Sequence, residues 1–125
     1  MSHFSTIKTQ ITKKPALLEA LELLQYNVVE NVELENPLDH EHKKWQVDIS
    51  VNNEIGFRWN GQEYELVADL ETWSQPFPPE RFIEKVRQQY ARMTIHNKVK
   101  EEGWQIAEEW EMDDNSIELT VTRWN

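Results

Sequence analysis

Apolar and polar residues alternate with two different periods along this chain, and the switches between periods mark its elements. In residues 3–9, Phe4 and Thr6 fall on one parity, which predicts a strand. From Thr12 the period lengthens. Leu17, Leu18, Leu21 and Leu24 recur at helical spacing, with Glu19 and Glu22 off the stripe. Thr12 stands where a cap belongs, and Pro15 where a first turn tolerates it. This helix, of about ten residues, must be held by packing rather than by propensity. Residues 27–34 return to period two, with Val28, Val32 and Leu34 on one side. Residues 35–44 are polar, contain Pro37, and read as a loop. Residues 45–51 alternate strictly and give the cleanest strand of the chain.

Asn52-Asn53 marks a turn, residues 55–59 alternate again, and Asn60-Gly61 is a type I′ hairpin signal that leads into a strand at 62–69. The loop at 71–78 is stiffened by Pro76 and Pro78. Its Trp73 and Phe77 either fold back onto the core or stand exposed as a contact knob for a partner. The longest helical pattern runs from Pro79 to Gly103, a C-terminal left-handed position. Phe82, Val86, Tyr90 and Met93 form its stripe, widened by Ile83. Further 100° steps put His96 and Asn97 on that stripe while Ile95 and Val99 turn away. Either the helix bends there, or its last turns meet a second surface, or a polar pair is partly buried. Residues 104–110 read as a strand with Trp104, Ile106 and Glu108 on one parity. Residues 113–115 make a turn, and a last strand at 116–124 turns Ile117, Leu119 and Val121 inward.

The order is β-α-β-β-β-β-α-β-β, in which a helix followed by two strands occurs twice. The expected class is α+β in a single domain, residues 1–125. Two helices cover one face of an antiparallel sheet of about seven strands, arranged as two βαββ halves. Alternation implies one buried and one solvated sheet face.

Composition narrows the function classes. With no Cys, disulfides, thiolate zinc sites and Cys nucleophiles are excluded. A net charge of −10 argues against nucleic acid and favours a protein partner with a basic surface. No apolar run approaches the roughly 20 residues of a membrane span. The N-terminal residues lack the plan of a signal peptide, so a cytoplasmic location is expected. The three glycines, Gly56, Gly61 and Gly103, form no phosphate loop. The six Trp residues are many for this length; Trp serves both cores and contact surfaces, and composition alone does not divide the six between them.

Four stretches resemble one family. They are the opening Met1-Ser2-His3-Phe4-Ser5 with Ile7-Lys8-Thr9, then Ile55-Gly56-Phe57-Arg58 with Tyr64-Glu65-Leu66-Val67-Ala68-Asp69, then Gln89-Tyr90-Ala91 leading to His96-Asn97-Lys98-Val99, and Ser116-Ile117-Glu118-Leu119 ending in Thr122-Arg123-Trp124. The chain is similar in these to the uncharacterised proteins of cyanobacteria and algal plastids known as hypothetical chloroplast reading frame 35, or domain of unknown function 1257. The resemblance spans almost the whole chain. It implies a cyanobacterial, plastid or related bacterial origin, and the plastid stroma if the gene is plastid-encoded. It brings no catalytic residues. Residues 34–44 and 69–78 are less typical of it.

Three sets of residues are candidates for chemistry. Between Glu101 and Glu118 stand eight acids (Glu101, Glu102, Glu108, Glu109, Glu111, Asp113, Asp114 and Glu118) and no Lys or Arg. On strands such acids form a solvated face or a dock for a basic partner, with Glu108 and Trp110 as contact residues. Glu111, Asp113 and Asp114 at the turn would otherwise ligate calcium, although the spacing is not that of an EF-hand loop. Asp39, His40 and His42 have the residue types of a transition-metal site, beside Lys43 and Lys44. Tyr90, His96 and Arg87, with Asn97 and Arg92, form either a hydrogen-bonded cluster under the long helix or a pocket with His96 as acid or base. The leading reading is a non-enzymatic, acidic interaction or assembly protein of a photosynthetic or related bacterial cell, with no cofactor expected. The alternatives are a calcium-binding protein and an enzyme with a small-molecule pocket at Tyr90 and His96.

Overall fold

In a computed structural model, described for residues 4–35, 44–114 and 116–123, nine elements follow the expected order. They are β1 (Ser5–Ile11), α1 (Lys14–Leu23), β2 (Val28–Glu35), β3 (Lys44–Val51), β4 (Ile55–Trp59), β5 (Tyr64–Ala68), α2 (Pro79–Glu101), β6 (Trp104–Glu111) and β7 (Ile117–Arg123). The class is α+β. Among the described residues the seven strands do not share one sheet. Five form an antiparallel sheet in the order β1-β5-β4-β3-β2, and β6-β7 forms a separate ribbon. The two βαββ halves are therefore not equivalent: β2-β3 joins the main sheet, whereas β6-β7 leaves it to lie on α2.

The main core lies between the helices and one sheet face. Ile49, Val51, Ile55, Phe57 and Leu66 meet Leu17 and Leu21 of α1 and Phe82, Ile83 and Val86 of α2. Phe57 and Phe82, both fully buried, stack with ring centres 6.4 Å apart. The other sheet face is not plainly solvated, as alternation alone implied. Phe4, Leu34, Val47 and Val67 form a second cluster there, with Val32 and Trp45 against it. Val47 and Ile49 share parity on β3 yet belong to different clusters, as do Val32 and Val28 on β2. The switch falls at Asn31, held at φ +53°, and at Asp48 opposite, where the pairing of β2 with β3 is interrupted. Beyond it the β2-β3 ribbon curls over the back of β4. Gly56 permits this close approach. A Cβ there would lie 2.6 Å from Val47 Cγ1 and 2.8 Å from Leu34 Cδ1, inside van der Waals contact. Where β3 departs, Asp48 Oδ2 accepts the amide of Trp59 at 2.7 Å and replaces the lost ladder bond.

Two local expectations change and a third holds. Thr12 does not cap α1, which starts after Lys13 without a side-chain cap of its own. The β4-β5 turn is not centred on Asn60-Gly61. Asn60 precedes it, its amide donating to Glu63 O at 3.0 Å and its side chain accepting the amides of Gln62 and Glu63. Gly103 does take the left-handed conformation that ends α2, with φ +80°.

Candidate functional site

The second half of α2 is where the expected and observed structures meet most usefully. Of the three readings of its change of face, one holds in full and one by half. Its last turns meet a second surface, the β6-β7 ribbon, and of the polar pair His96 is partly buried there while Asn97 stays exposed. Ile95 and Val99, which turn away from the sheet, face clefts formed with that ribbon. A register shift between Ile106 and Glu108 reverses parity in β6. Trp104 and Ile106 turn half-buried toward α2, while Val121, paired with Ile106 and expected inward, stays exposed; after the bulge Glu109, not Glu108, joins that side opposite Leu119.

Glu109 thereby reaches α2. Its Oε2 lies 2.7 Å from His96 Nε2, and its Oε1 forms an ion pair with Arg92 Nε. Arg92 also donates to Gln89 Oε1 at 3.2 Å. The side chains of Arg92, His96 and Glu109 are 31%, 23% and 18% exposed, so solvent still screens the cluster. On the neighbouring helix contact, Asn97 donates to Glu19 Oε1 of α1 at 3.2 Å.

Between α2, the β1 bulge and β7 opens a cleft of about 610 Å³, lined by Arg87, Tyr90, Arg92, Ile95, Ile117 and Leu119 among others. His96 does not line it. It faces a smaller recess of about 130 Å³ with Val99, Trp104 and Ile106. Tyr90, Arg87 and His96 are thus not brought together on one cavity. The Tyr90 hydroxyl is engaged at the start of α1, accepting the amides of Thr12 at 3.3 Å and Lys13 at 3.1 Å. Burial pushes this phenol up, but the donors from Thr12 and Lys13 outweigh it, and its pKa is lowered. Arg87 donates to Gln10 Oε1 at 2.8 Å, and Gln10 is held at φ +64° by a bulge in β1.

The outer face of the ribbon has a different character. Trp110 pairs directly with Glu118, and Glu108 with Thr120, all exposed. Trp110 is 42% and Met112 37% exposed. At the turn Asp114 Oδ1 accepts the amide and hydroxyl of Ser116, which hold its carboxyl below the usual range. Glu111 accepts a hydrogen bond from Gln88 of α2. Among the described residues no group of three or more His, Cys, Asp or Glu converges as a metal site, so Glu111, Asp113 and Asp114 are not gathered on one point. Asp39, His40 and His42 lie outside the described residues.

Trp73 and Phe77 are not an exposed knob. Both are half-buried against Phe82, with ring centres 5.6 Å and 6.4 Å from it, and Trp73 Nε1 donates to Phe77 O at 2.7 Å. Glu54, which the sequence did not single out, fixes this loop by accepting from Ser74 and Gln75. Glu109 was singled out only as one acid of a solvated or docking face; its pairing with His96 and Arg92 was missed, because its inward aim depends on the β6 bulge.

Comparison with known proteins agrees with the resemblance read from the sequence. A family model described as a protein of unknown function (DUF1257) matches residues 20–120. Proteins called uncharacterized protein ycf35 are similar along nearly their whole length. That of Pyropia yezoensis is 36% identical, covering 100% of this chain and 99% of its own. That of Guillardia theta is 34% identical over 99% and 98%, and that of Cyanophora paradoxa 35% identical over 99% and 98%. No solved structure matches. Among the described residues no helix is long and apolar enough to cross a membrane.

Proposed function

We propose that this chain, which belongs to the DUF1257 family of proteins of unknown function, is a non-enzymatic interaction protein of a photosynthetic or related bacterial cell. Its docking element on this reading is the outer face of the β6-β7 ribbon. The observation that carries it is Trp110, 42% exposed on that face and paired with Glu118, with Glu108 on the same parity. A large aromatic left in solvent beside carboxylates suits a basic segment. Lys or Arg of the partner would stack on the indole while the acids neutralise their charge. The acidic balance of the whole chain, −10, would speed encounter with such a partner.

The test is capture from a cell extract at low ionic strength, with the wild-type chain and with Trp110→Ala and Glu108→Gln/Glu118→Gln as baits. These side chains are exposed, so the variants should fold. Wild type should recover basic proteins whose yield falls as salt rises, and both variants should lose them. Recovery indifferent to salt, or undiminished in both variants, would overturn the proposal.

A further inference from the structure

The cleft between α2 and the inner side of β7 is separate from the ribbon's outer face, and its chemistry is different. Ile95 supplies an apolar wall although it is 44% exposed, and Ile117 and Leu119 face it half-buried from β7. This is apolar surface that the fold has left uncovered between two of its own elements. At about 610 Å³ the space falls within the roughly 300–1,000 Å³ of small-molecule sites. Two guanidiniums line it in a chain that is otherwise strongly acidic. They are not equivalent. Arg92 is neutralised by Glu109, whereas among the described residues Arg87 donates to the neutral amide of Gln10. Two acids, Glu84 and Asp114, also line the cleft; the bonds from Ser116 fix the direction of the Asp114 carboxylate without neutralising it. Gln10 reaches Arg87 from a left-handed backbone conformation that a glutamine rarely adopts. The β1 bulge that imposes it pins Thr9 inward, where its hydroxyl donates to Tyr64 O at 2.6 Å. Arg87 is therefore positioned by a rigid feature of the sheet, with donors left over beyond the one given to Gln10.

We infer that this cleft binds a small organic anion with an apolar body, its carboxylate on Arg87 and its hydrocarbon between Ile95, Ile117 and Leu119. The guanidinium gives a charge-assisted, directional contact for the head, and the uncovered isoleucines and leucine give burial for the tail. Neither half suits a cationic or wholly polar ligand.

Decanoate is the probe, with decanol and decyltrimethylammonium as neutral and cationic controls, followed by methyl-resolved NMR and calorimetry on the full chain. Decanoate should shift the methyl signals of Ile95, Ile117 and Leu119 and bind more tightly than either control. Arg87→Gln should weaken decanoate about tenfold, the loss expected for a hydrogen bond to a charged group, while leaving decanol unchanged. Ile95→Glu alters an exposed position, so it should fold, and its new carboxylate should abolish decanoate binding. The inference is overturned if the three methyl signals do not move at millimolar decanoate, if decanol binds as tightly, or if binding survives Ile95→Glu. Should Arg87→Gln fail to fold, Ile95→Glu and the ranking of the three probes decide alone. Loss of capture in the Trp110 variant leaves this result untouched, because Trp110 does not line the cleft.

Discussion

Tyr90 shows how far one residue's role departs from its place on a helical stripe. Its ring continues the apolar face of α2 against the main core, but its hydroxyl closes the start of another helix. α1 has no side-chain cap of its own, so Tyr90→Phe should cost about 1–2 kcal/mol, the range for losing a cap. Urea unfolding checks this, and Thr12→Ala should cost clearly less, because the two amides bonded to Tyr90 would remain. The same hydroxyl sets an order of titration. Tyr26 and Tyr64 are raised, Tyr26 by burial and Tyr64 by burial first and then the charge of Asp48, whereas Tyr90 is lowered. The unfolded value is about 10. For the two raised phenols the folded state prefers the proton. Their contribution to stability is present below that value and lost as pH rises toward their folded ones. For Tyr90 the sign is opposite: its contribution grows as pH rises through its lowered value and is complete above 10. Tyrosinate absorbance should therefore appear in two stages, with Tyr90→Phe removing the earlier one. A single stage unaffected by that substitution would contradict the assignment.

At the scale of elements, the β2-β3 ribbon holds the least expected feature. Its alternation is clean, yet its two ends serve opposite faces of the sheet, and Gly56 gives it room. Gly56→Ala should destabilise by roughly 1–3 kcal/mol, the cost of overpacking a filled site. Val47→Ala in the same chain should recover part of that loss, measured as a double-mutant cycle, whereas independent costs would simply add. Most elements were legible because a period of two or of 3.6 survives any arrangement of partners. What was not legible depended on backbone events that break parity. Asn31 flips β2, the Thr9-Gln10 bulge turns Gln10 to Arg87, and the bulge after Ile106 sends Glu109 inward in place of Glu108. His96 was visible as a polar residue on an apolar stripe, but its partner was not. Asn31 among valines and Gly56 among β-formers were the available signals, since left-handed backbone and close approach favour those residues.

The whole molecule divides into parts of unequal cohesion. The five-stranded sheet and the first half of α2 enclose fully buried Phe57, Phe82, Leu66 and Val86. The β6-β7 ribbon contributes no fully buried side chain among its described residues and touches α2 through half-buried Trp104, Ile106, Ile117 and Leu119 and the Glu109 cluster. A unit with so few buried apolar contacts should open by itself, below the free energy of global unfolding. Hydrogen exchange should then show amides of β6 and β7 exchanging together and faster than those of Ile49 and Phe57. Glu109→Gln removes a charge that holds the ribbon to Arg92 and His96. The cluster is partly exposed, so the loss is about 1 kcal/mol, or roughly fivefold in the opening equilibrium. The ribbon amides should speed by that factor while the core amides stay unchanged, and added salt should reproduce part of the effect in the wild type. If the ribbon and the core instead exchange with one opening energy and respond alike to Glu109→Gln, the ribbon is an integral part of the core. Its attachment would then have to come from the apolar contacts at Trp104 and Ile106 rather than from the ionic cluster, and Ile106→Ala would become the substitution that frees it.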